Sequence, residues 1–366
     1  MKPYGIAATL SDAIALTAPF GAGAKIGIGA AQAANADILA PTALALQPDE
    51  ASAALNIGRP QYIFTFGNTD ACPPPAMLGP VMDVVATGSG TDFLCASFAS
   101  PWTGRTVYQG HLFQNGTLQS DLKRDLAPYI NGAIAILPHE IVAAGVQAVR
   151  GQLTAMKERG IRLVLLDAID EDQCATIAGA LARQPVIAGP SWLAPQTLGA
   201  ESTPPLPTGP LAILSGALNR QTLIQTATAR TAMPVFDLDF SNPENQVPQA
   251  LAWALPHFGE TPFLITSTAP PDKICPGAPA ATTLAAIAEA LAQAGIRNFL
   301  LAGNDTAAAT LHRLGLTQLT AIAPFAGLRW LTAGDIHILI KPGGYGSKNL
   351  FLYDFEPQSR LNESAE

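Results

Sequence analysis

The chain has 366 residues, 48% of them apolar and only 13% charged, with 20 Lys and Arg against 28 Asp and Glu and a formal net charge of −8. At about 100–200 residues per domain, two domains are expected, and a charge content near half of the roughly 25% usual in soluble domains excludes disorder and coiled coil. The acidic balance also excludes a basic nucleic-acid binder, so an anionic ligand has to be caught by local donors and helix ends.

The chain opens MKPYGIAATLSDAIAL, where Asp12 interrupts what would be the apolar core of a signal peptide. Mean hydropathy is +0.24, yet the most apolar runs, such as Ala133 to Leu137 and Phe299 to Ala302, fall well short of the roughly 18 residues that span a bilayer. A cytoplasmic protein with no membrane partner is expected. Short β-branched or Leu-rich runs alternate with Ala-rich helical segments, and 32 Gly and 31 Pro punctuate them. The pattern predicts an α/β fold, two α/β domains with largely parallel or mixed sheets and an interdomain cleft. In chain order the strands expected are Gln61 to Phe66, Ile161 to Asp167, Leu211 to Ser215, Pro262 to Ser267, Asn298 to Ala302 and Ile336 to Lys341. Helices are expected over Glu140 to Arg159, Glu171 to Arg183, Asn219 to Thr231 and Thr282 to Ala294. In the last of these, Leu284, Ile287, Ala288 and Leu291 recur at i, i+3, i+4 and i+7, a face built to pack on a sheet.

The stretch GAESTPPLPTGP, Gly199 to Pro210, carries four prolines and two glycines and holds no regular element. It divides the chain into a domain of residues 1–200 and a second of 208–366. Cys72, Cys95, Cys174 and Cys275 are widely spaced without a C-x-x-C pair, which fits buried reduced thiols better than a zinc site or disulfides.

Several segments could carry chemistry. In the first domain, GNTDACPPP places Asn68 and Asp70 after a strand. Gly104, Arg105, Thr106, Tyr108, Gln109 and His111 gather a guanidinium, hydroxyls, an amide and an imidazole within eight positions. An arginine grips a carboxylate with two parallel hydrogen bonds, which suits a small sugar acid; the alternatives are that Arg105 pairs with a nearby Asp and that His111 only packs. Asp167 closes a strand at the edge where ligands usually bind, or caps the helix that follows.

In the second domain, three turns suit phosphate. Ser215 and Gly216 end a strand before a helix whose unpaired N–H groups face outward, either for an anion or as a plain N-cap turn. Gly303, Asn304, Asp305 and Thr306 end the next, where Asp305 or Thr306 caps the helix, or Asp305 takes a ribose hydroxyl or a hydrated Mg²⁺. The third combines Lys341 with Gly343, Gly344 and Gly346 in a phosphate or adenine clamp or a glycine-rich hairpin. Neither a G-x-x-x-x-G-K-[ST] run nor a Rossmann G-x-G-x-x-G in context is present, which argues against a dinucleotide oxidoreductase.

Taken together these segments resemble the four-carbon acid sugar kinase family. The likeness is strongest at GRTVYQGHLF (Gly104 to Phe113) and continues through GIRLVLLDA and AGPSWLA. LSGALNRQTLIQ is similar to the family's L-S-G-S-x-S-x-x-T-x-x-Q, AGNDT to its G-G-E-T loop and KPGGYGSKNLF to its K-S-G-x-F-G loop. The resemblance implies a sugar-acid-binding N-terminal domain, a nucleotide-binding C-terminal domain and ATP-dependent phosphoryl transfer with Mg²⁺. It implies Asn68, Arg105, Thr106, Tyr108 and His111 on the acceptor, and Ser215, Gly216, Gly303 to Thr306, Lys341, Gly343, Gly344 and Gly346 on the nucleotide. No residue is assigned as a metal ligand, and a homodimer is the candidate assembly.

The chain departs from the family's pattern at the acceptor. Where the family has D-D-x-T-G-A, this chain has Ala8 and Thr9 at the acidic positions and Ser11 and Asp12 after them; ADILAPTALAL lacks the family's basic K-[ST]-R turn. Asp12 or Asp70 is then the replacement base of an active kinase with an altered acceptor. The alternative is a homologue that binds nucleotide or a small ligand without phosphoryl transfer.

Overall fold

The structure, a computed structural model, describes residues 3–69, 72–194, 207–240, 245–259, 262–267, 279–326 and 328–352. Asp70, Cys275 and residues 199–206 of the proline-rich stretch lie outside them. The chain divides into two compact units, Met1–Ala200 and Glu201–Glu366.

The first unit runs β1 (Tyr4–Ala7), α1 (Leu10–Phe20), β2 (Lys25–Ile28), β3 (Ile38–Ala40), α2 (Pro48–Leu55), β4 (Tyr62–Thr65), α3 (Pro75–Gly88) and β5 (Leu94–Ala96). A three-stranded antiparallel insertion follows, β6 (Arg105–Tyr108), β7 (His111–Gln114) and β8 (Thr117–Asp121). The unit closes with α4 (Leu122–Leu126), β9 (Ala133–Leu137), α5 (His139–Ala143), α6 (Val146–Glu158), β10 (Ile161–Leu166), α7 (Glu171–Leu181) and β11 (Val186–Gly189). Outside the insertion its described strands pair in parallel in the order β2-β3-β1-β4-β11-β5-β10-β9. Buried on both faces, strands such as β4 (YIFT) and β11 (VIAG) read as continuous rather than alternating apolar runs.

The second unit runs β12 (Leu211–Ser215), α8 (Arg220–Ala229), β13 (Val235–Asp237), α9 (Gln246–Ala254), β14 (Phe263–Thr266), α10 (Ala280–Gln293), β15 (Asn298–Ala302), α11 (Asn304–Arg313), β16 (Gln318–Phe325), β17 (Leu328–Ala333) and β18 (Ile336–Lys341). Its strands lie in the order β13-β14-β12-β15-β18-β17-β16, parallel from β13 to β18 and antiparallel through β17 and β16. Leu211, Ile213, Leu264, Leu300 and Leu339 form the core beneath Ala229 of α8. Leu284, Ile287, Ala288 and Leu291 are the buried face of α10.

Local differences from expectation have physical causes. The helix expected over Glu140 to Arg159 is two, because Gly145 takes φ +96 between α5 and α6, a left-handed conformation that breaks the helical path. Neither Asp305 nor Thr306 caps α11; the N-cap is Gly303 at φ 113, which makes no side-chain cap bond. The segment after β18 is not a hairpin, since it runs into a 3-10 turn at Leu350–Leu352. Cys95 and Cys174 are buried free thiols and Cys72 is partly buried. Among the described residues no helix is long and apolar enough to cross a membrane.

Candidate functional site

At the carboxyl edge of the first sheet, β1 ends in Ala7 and the chain turns through Ala8 and Thr9 into α1. Thr9 is the N-cap, its hydroxyl accepting from the Asp12 N–H at 3.2 Å. This turns the Asp12 carboxylate toward the end of β4. Oδ1 accepts from the Asn68 backbone N–H (3.1 Å) and Nδ2 (2.9 Å), and Oδ2 accepts from Thr9 Oγ1 (2.7 Å). Asn68 in turn donates through Nδ2 to Thr65 Oγ1 at 2.8 Å, and its Oδ1 accepts from the Ser191 N–H at 2.6 Å after β11. Asp12 is 2% exposed, and burial pushes its carboxyl above the ordinary 3.8 against the hydrogen bonds from Asn68 and Thr9. Asp70, the alternative candidate base, lies outside the described residues.

Arg105 sits in the same region but faces the chain itself. Nε donates to Phe98 O at 2.8 Å, Nη1 to Thr69 O at 2.9 Å and Nη2 to Gly67 O. Its charge holds three carbonyls together and so fixes the turn that carries Asn68. Gly67 takes φ +68, a left-handed backbone that favours glycine, and a Cβ there would press on Arg105 Nη2 at 3.0 Å.

The rest of GRTVYQGHLF is a hairpin, with Tyr108 opposite His111 and both central residues, Gln109 (φ 50) and Gly110 (φ 73), left-handed as a type I′ turn demands. Side chains alternate along β6. Arg105 and Val107 are therefore buried on one face, while Thr106 and Tyr108 lie on the other with His111. Tyr108 is 40% exposed with its ring 5.0 Å from His139, and His111 Nδ1 lies 2.9 Å from Gln109 O. The pleat thus separates Arg105 from Thr106, Tyr108 and His111, which the chain order had grouped. Asp167 does not cap α7, a task done by Asp170; it accepts from the N–H groups of Gln109 (2.5 Å) and Gly110 (2.9 Å). Burial raises its carboxyl above the usual range against those bonds.

In the second unit, Ser215, Ala302 and Lys341 lie side by side in register at the ends of β12, β15 and β18. Alternation puts Ser215 on the face of Leu211 and Ile213, which pack with α8. A Cβ on the next residue, Gly216, would instead meet Thr306 of α11 (2.3 Å) and Leu284 of α10 (3.1 Å). Helices therefore leave β12 and β15 toward opposite faces, the divergence that opens a binding crevice at the carboxyl ends of a parallel sheet. Three features meet there. Ser215 Oγ is fully buried and has no hydrogen-bond partner among the described residues. The N-cap of α11 is Gly303, which offers no side-chain bond, and the positive end of the helix dipole lies here with the exposed Asp305 in its first turn. The glycine loop follows Lys341, with Gly343 at φ 30 and Gly346 at φ 89.

That loop is held by α8. Lys341 Nζ, fully buried, donates to Thr222 Oγ1 (2.6 Å) and to Gly343 O. Gln221 Nε2 donates to Gly346 O (2.7 Å), and Gln225 Nε2 to Tyr345 O (2.9 Å) and Ser347 O (2.8 Å). Lys341 therefore anchors the loop from beneath, and Gln221, Thr222 and Gln225 join two motifs that stand more than a hundred residues apart. The sequence signal for this was present in Thr222, Gln225 and Thr226, polar residues that make up most of the buried face of α8.

Among the described residues no three metal-ligating side chains gather. The exposed Asp305 in the first turn of α11 would hold Mg²⁺ only as a hydrated ion whose other ligands come from bound phosphates.

A parallel α/β unit followed by one with an open phosphate-type edge defines a class, a small-molecule-binding unit joined to a nucleotide-binding one. The comparisons agree: the sugar-binding N-terminal domain matches residues 77–196 and the nucleotide-binding C-terminal domain residues 212–351. The chain is 28% identical over 336 residues to the 3-oxo-tetronate kinase of Burkholderia multivorans, covering 80% of this chain and 77% of that protein. It is 30% identical over 334 residues to the 3-oxo-tetronate kinase of Methylobacterium radiotolerans, covering 78% of each. A crystal structure from Salmonella typhimurium LT2 superposes with a TM-score of 0.82 at 24% identity, over 96% of this chain and 98% of that one, which establishes the shared fold. The chain belongs to the four-carbon acid sugar kinase family.

Proposed function

We propose that the chain is an ATP-dependent kinase that phosphorylates a hydroxyl of a four-carbon sugar acid or a related small acceptor, with residues 1–200 taking the acceptor and 208–366 the nucleotide. The observation that carries this reading is the phosphate-type edge of the second unit. There the N-terminus of α11 with its glycine N-cap, the Ser215 hydroxyl, which has no hydrogen-bond partner among the described residues, and a glycine loop pinned by Lys341 stand together. The backbone N–H groups of Asn304 to Thr306 and the Ser215 hydroxyl take phosphate oxygens, and the loop through Gly343, Gly344 and Gly346 lets the nucleotide approach the backbone. In the transfer, the acceptor oxygen bonds to the γ-phosphorus as the bond from that phosphorus to its bridging oxygen breaks. ADP leaves with the electron pair, and the hydroxyl proton passes to water. Bound Mg²⁺, with Asp305 beside it, supplies charge neutralisation on the phosphates. Positioning dominates such reactions, because the transferring group carries little covalent demand on the protein.

A second reading, nucleotide binding without transfer, is supported by the saturation of Asp12, whose oxygens already accept three hydrogen bonds. A phosphotransfer assay with ATP and Mg²⁺ over four-carbon acceptors separates the two. Phosphorylated product supports the kinase, while a melting temperature raised by ATP with Mg²⁺ and no product with any acceptor supports the second reading. No effect of ATP on melting removes both.

A further inference from the structure

The carbonyls of the glycine loop after β18 are turned toward α8 and Lys341. Gly343 O accepts from Lys341 Nζ, Gly346 O from Gln221 Nε2, and Tyr345 O and Ser347 O both from Gln225 Nε2. In a trans peptide the C=O of one residue and the N–H of the next point in opposite directions, and none of the described peptide bonds is cis. The N–H groups of Gly344, Gly346, Ser347 and Lys348 are therefore turned away from those side chains. Among the described residues none of the four makes a hydrogen bond. Successive unpaired N–H groups in a turn, here with Gly346 at φ 89, are an arrangement that takes an anion.

Two cations stand by this loop. Of the described Lys and Arg of the second unit, Arg230, Arg297 and Arg313 are paired with Asp237, Asp335 and Glu289, and Arg329 and Lys341 are buried. Arg220 and Lys348 are exposed, and neither forms an ion pair or hydrogen bond among the described residues. Lys348 follows directly on Ser347. Arg220 precedes Gln221, whose side chain is bonded to Gly346 O at 2.7 Å. Arg220 is also the first residue of α8, where the positive end of the helix dipole opposes a cation. A bound anion relieves that opposition and meets the unpaired N–H groups at the same time.

We infer that Arg220 and Lys348 are phosphate-binding residues of the second unit, neutralising the oxygens that the N–H groups of Gly346, Ser347 and Lys348 receive. Lys341, buried beneath the loop, is its anchor. This rests on the nucleotide reading above and deepens it by naming the side chains that carry the charge. The test measures the affinity of the full chain for ATP with Mg²⁺, and separately for inorganic tripolyphosphate, by calorimetry in Arg220→Ala, Lys348→Ala and the double variant. Each single change is expected to weaken both ligands about three-fold and the double variant about ten-fold, as the loss of exposed charge pairs does, with a smaller loss at high salt. The melting temperature of the free protein is expected to be unchanged in Lys348→Ala and to hold or rise in Arg220→Ala, since the helix start loses an opposed charge. Undiminished affinity for both ligands in the double variant overturns the inference, and so does a loss of affinity accompanied by a lower melting temperature of the free protein. Failure of the nucleotide reading looks different: the native protein then binds tripolyphosphate, the double variant loses it, and neither binds ATP, which leaves the anion site standing.

Discussion

Asp12 and Asn68 form a two-point contact in which one carboxylate oxygen accepts both the backbone N–H and the side-chain amide of the same residue, at 3.1 and 2.9 Å. The contact ties the start of α1 to the end of β4 and fills the place where a catalytic carboxylate was expected. Burial holds the folded-state pKa of Asp12 above the ordinary 3.8. The folded protein therefore keeps a proton that the unfolded chain has lost, so this group's contribution to stability is present below that window and falls as pH rises through it. Asp12→Asn is a neutral mimic whose amide can face Thr9 Oγ1. The melting temperature of the native protein minus that of the variant is expected to fall as pH rises above 3.8 and then level off. A difference that grows with pH contradicts the assignment.

Arg105 is expected to behave as a structural residue. Lys at this position keeps the charge but cannot span three carbonyls with a planar fork. Charged hydrogen bonds contribute on the order of 1.5–3 kcal/mol each, so Arg105→Lys is expected to lower stability to urea by at least ~3 kcal/mol. Nucleotide binding by the second unit should persist. A variant of native stability that has lost only acceptor binding would instead restore the carboxylate clamp.

The bonds from Gln109 and Gly110 to Asp167 hold the hairpin turn on the sheet. Asp167→Ala leaves two N–H groups without their acceptor, and a stability loss of about 2–4 kcal/mol is expected at roughly 1–3 kcal/mol per unsatisfied group. Hydrogen exchange at the Gln109 and Gly110 amides should quicken far more than in β1 or β4. Equal acceleration throughout the unit would show that the bonds are not local to the hairpin.

Gly216 and Thr306 are in direct steric opposition, since a Cβ on Gly216 would stand 2.3 Å from Thr306 Oγ1. Gly216→Ala is expected to destabilise by about 1–3 kcal/mol, as overpacking does. Adding Thr306→Ala should recover part of this in a double-mutant cycle. Strict additivity of the two changes would mean that the strain lies elsewhere.

Lys341→Met removes the anchor between the glycine loop and Thr222 while conserving length. Nucleotide affinity measured by calorimetry is expected to fall about ten-fold, near 1.4 kcal/mol. Unaltered ATP affinity would detach the loop from the nucleotide site.

The architecture was legible in the sequence because buried parallel strands are written as short apolar runs between turn residues. Leu211–Ser215, Asn298–Ala302 and Ile336–Lys341 were bounded correctly by composition alone. The α5 to α6 break was less visible, since a single glycine inside a helical pattern does not reveal its φ. The second hairpin was signalled by Asn115–Gly116, a dipeptide that favours type I′ turns, whereas Gln109–Gly110 is a weaker signal and the polar residues around it drew a functional reading instead. What the chain order could not decide was direction. Arg105, Asp12, Asp167 and Lys341 were each found as polar residues at strand ends. Only the tertiary structure set their partners, because a side chain's partners depend on segments brought near it by pairing: Gly67 lies 38 residues from Arg105, Gln109 lies 58 from Asp167 and Thr222 lies 119 from Lys341. The sequence by itself determined two α/β layers and their polar rims, through local pattern and turn chemistry. The pleat and the strand register decided which rim residues face inward to hold loops and which edges remain open for ligand.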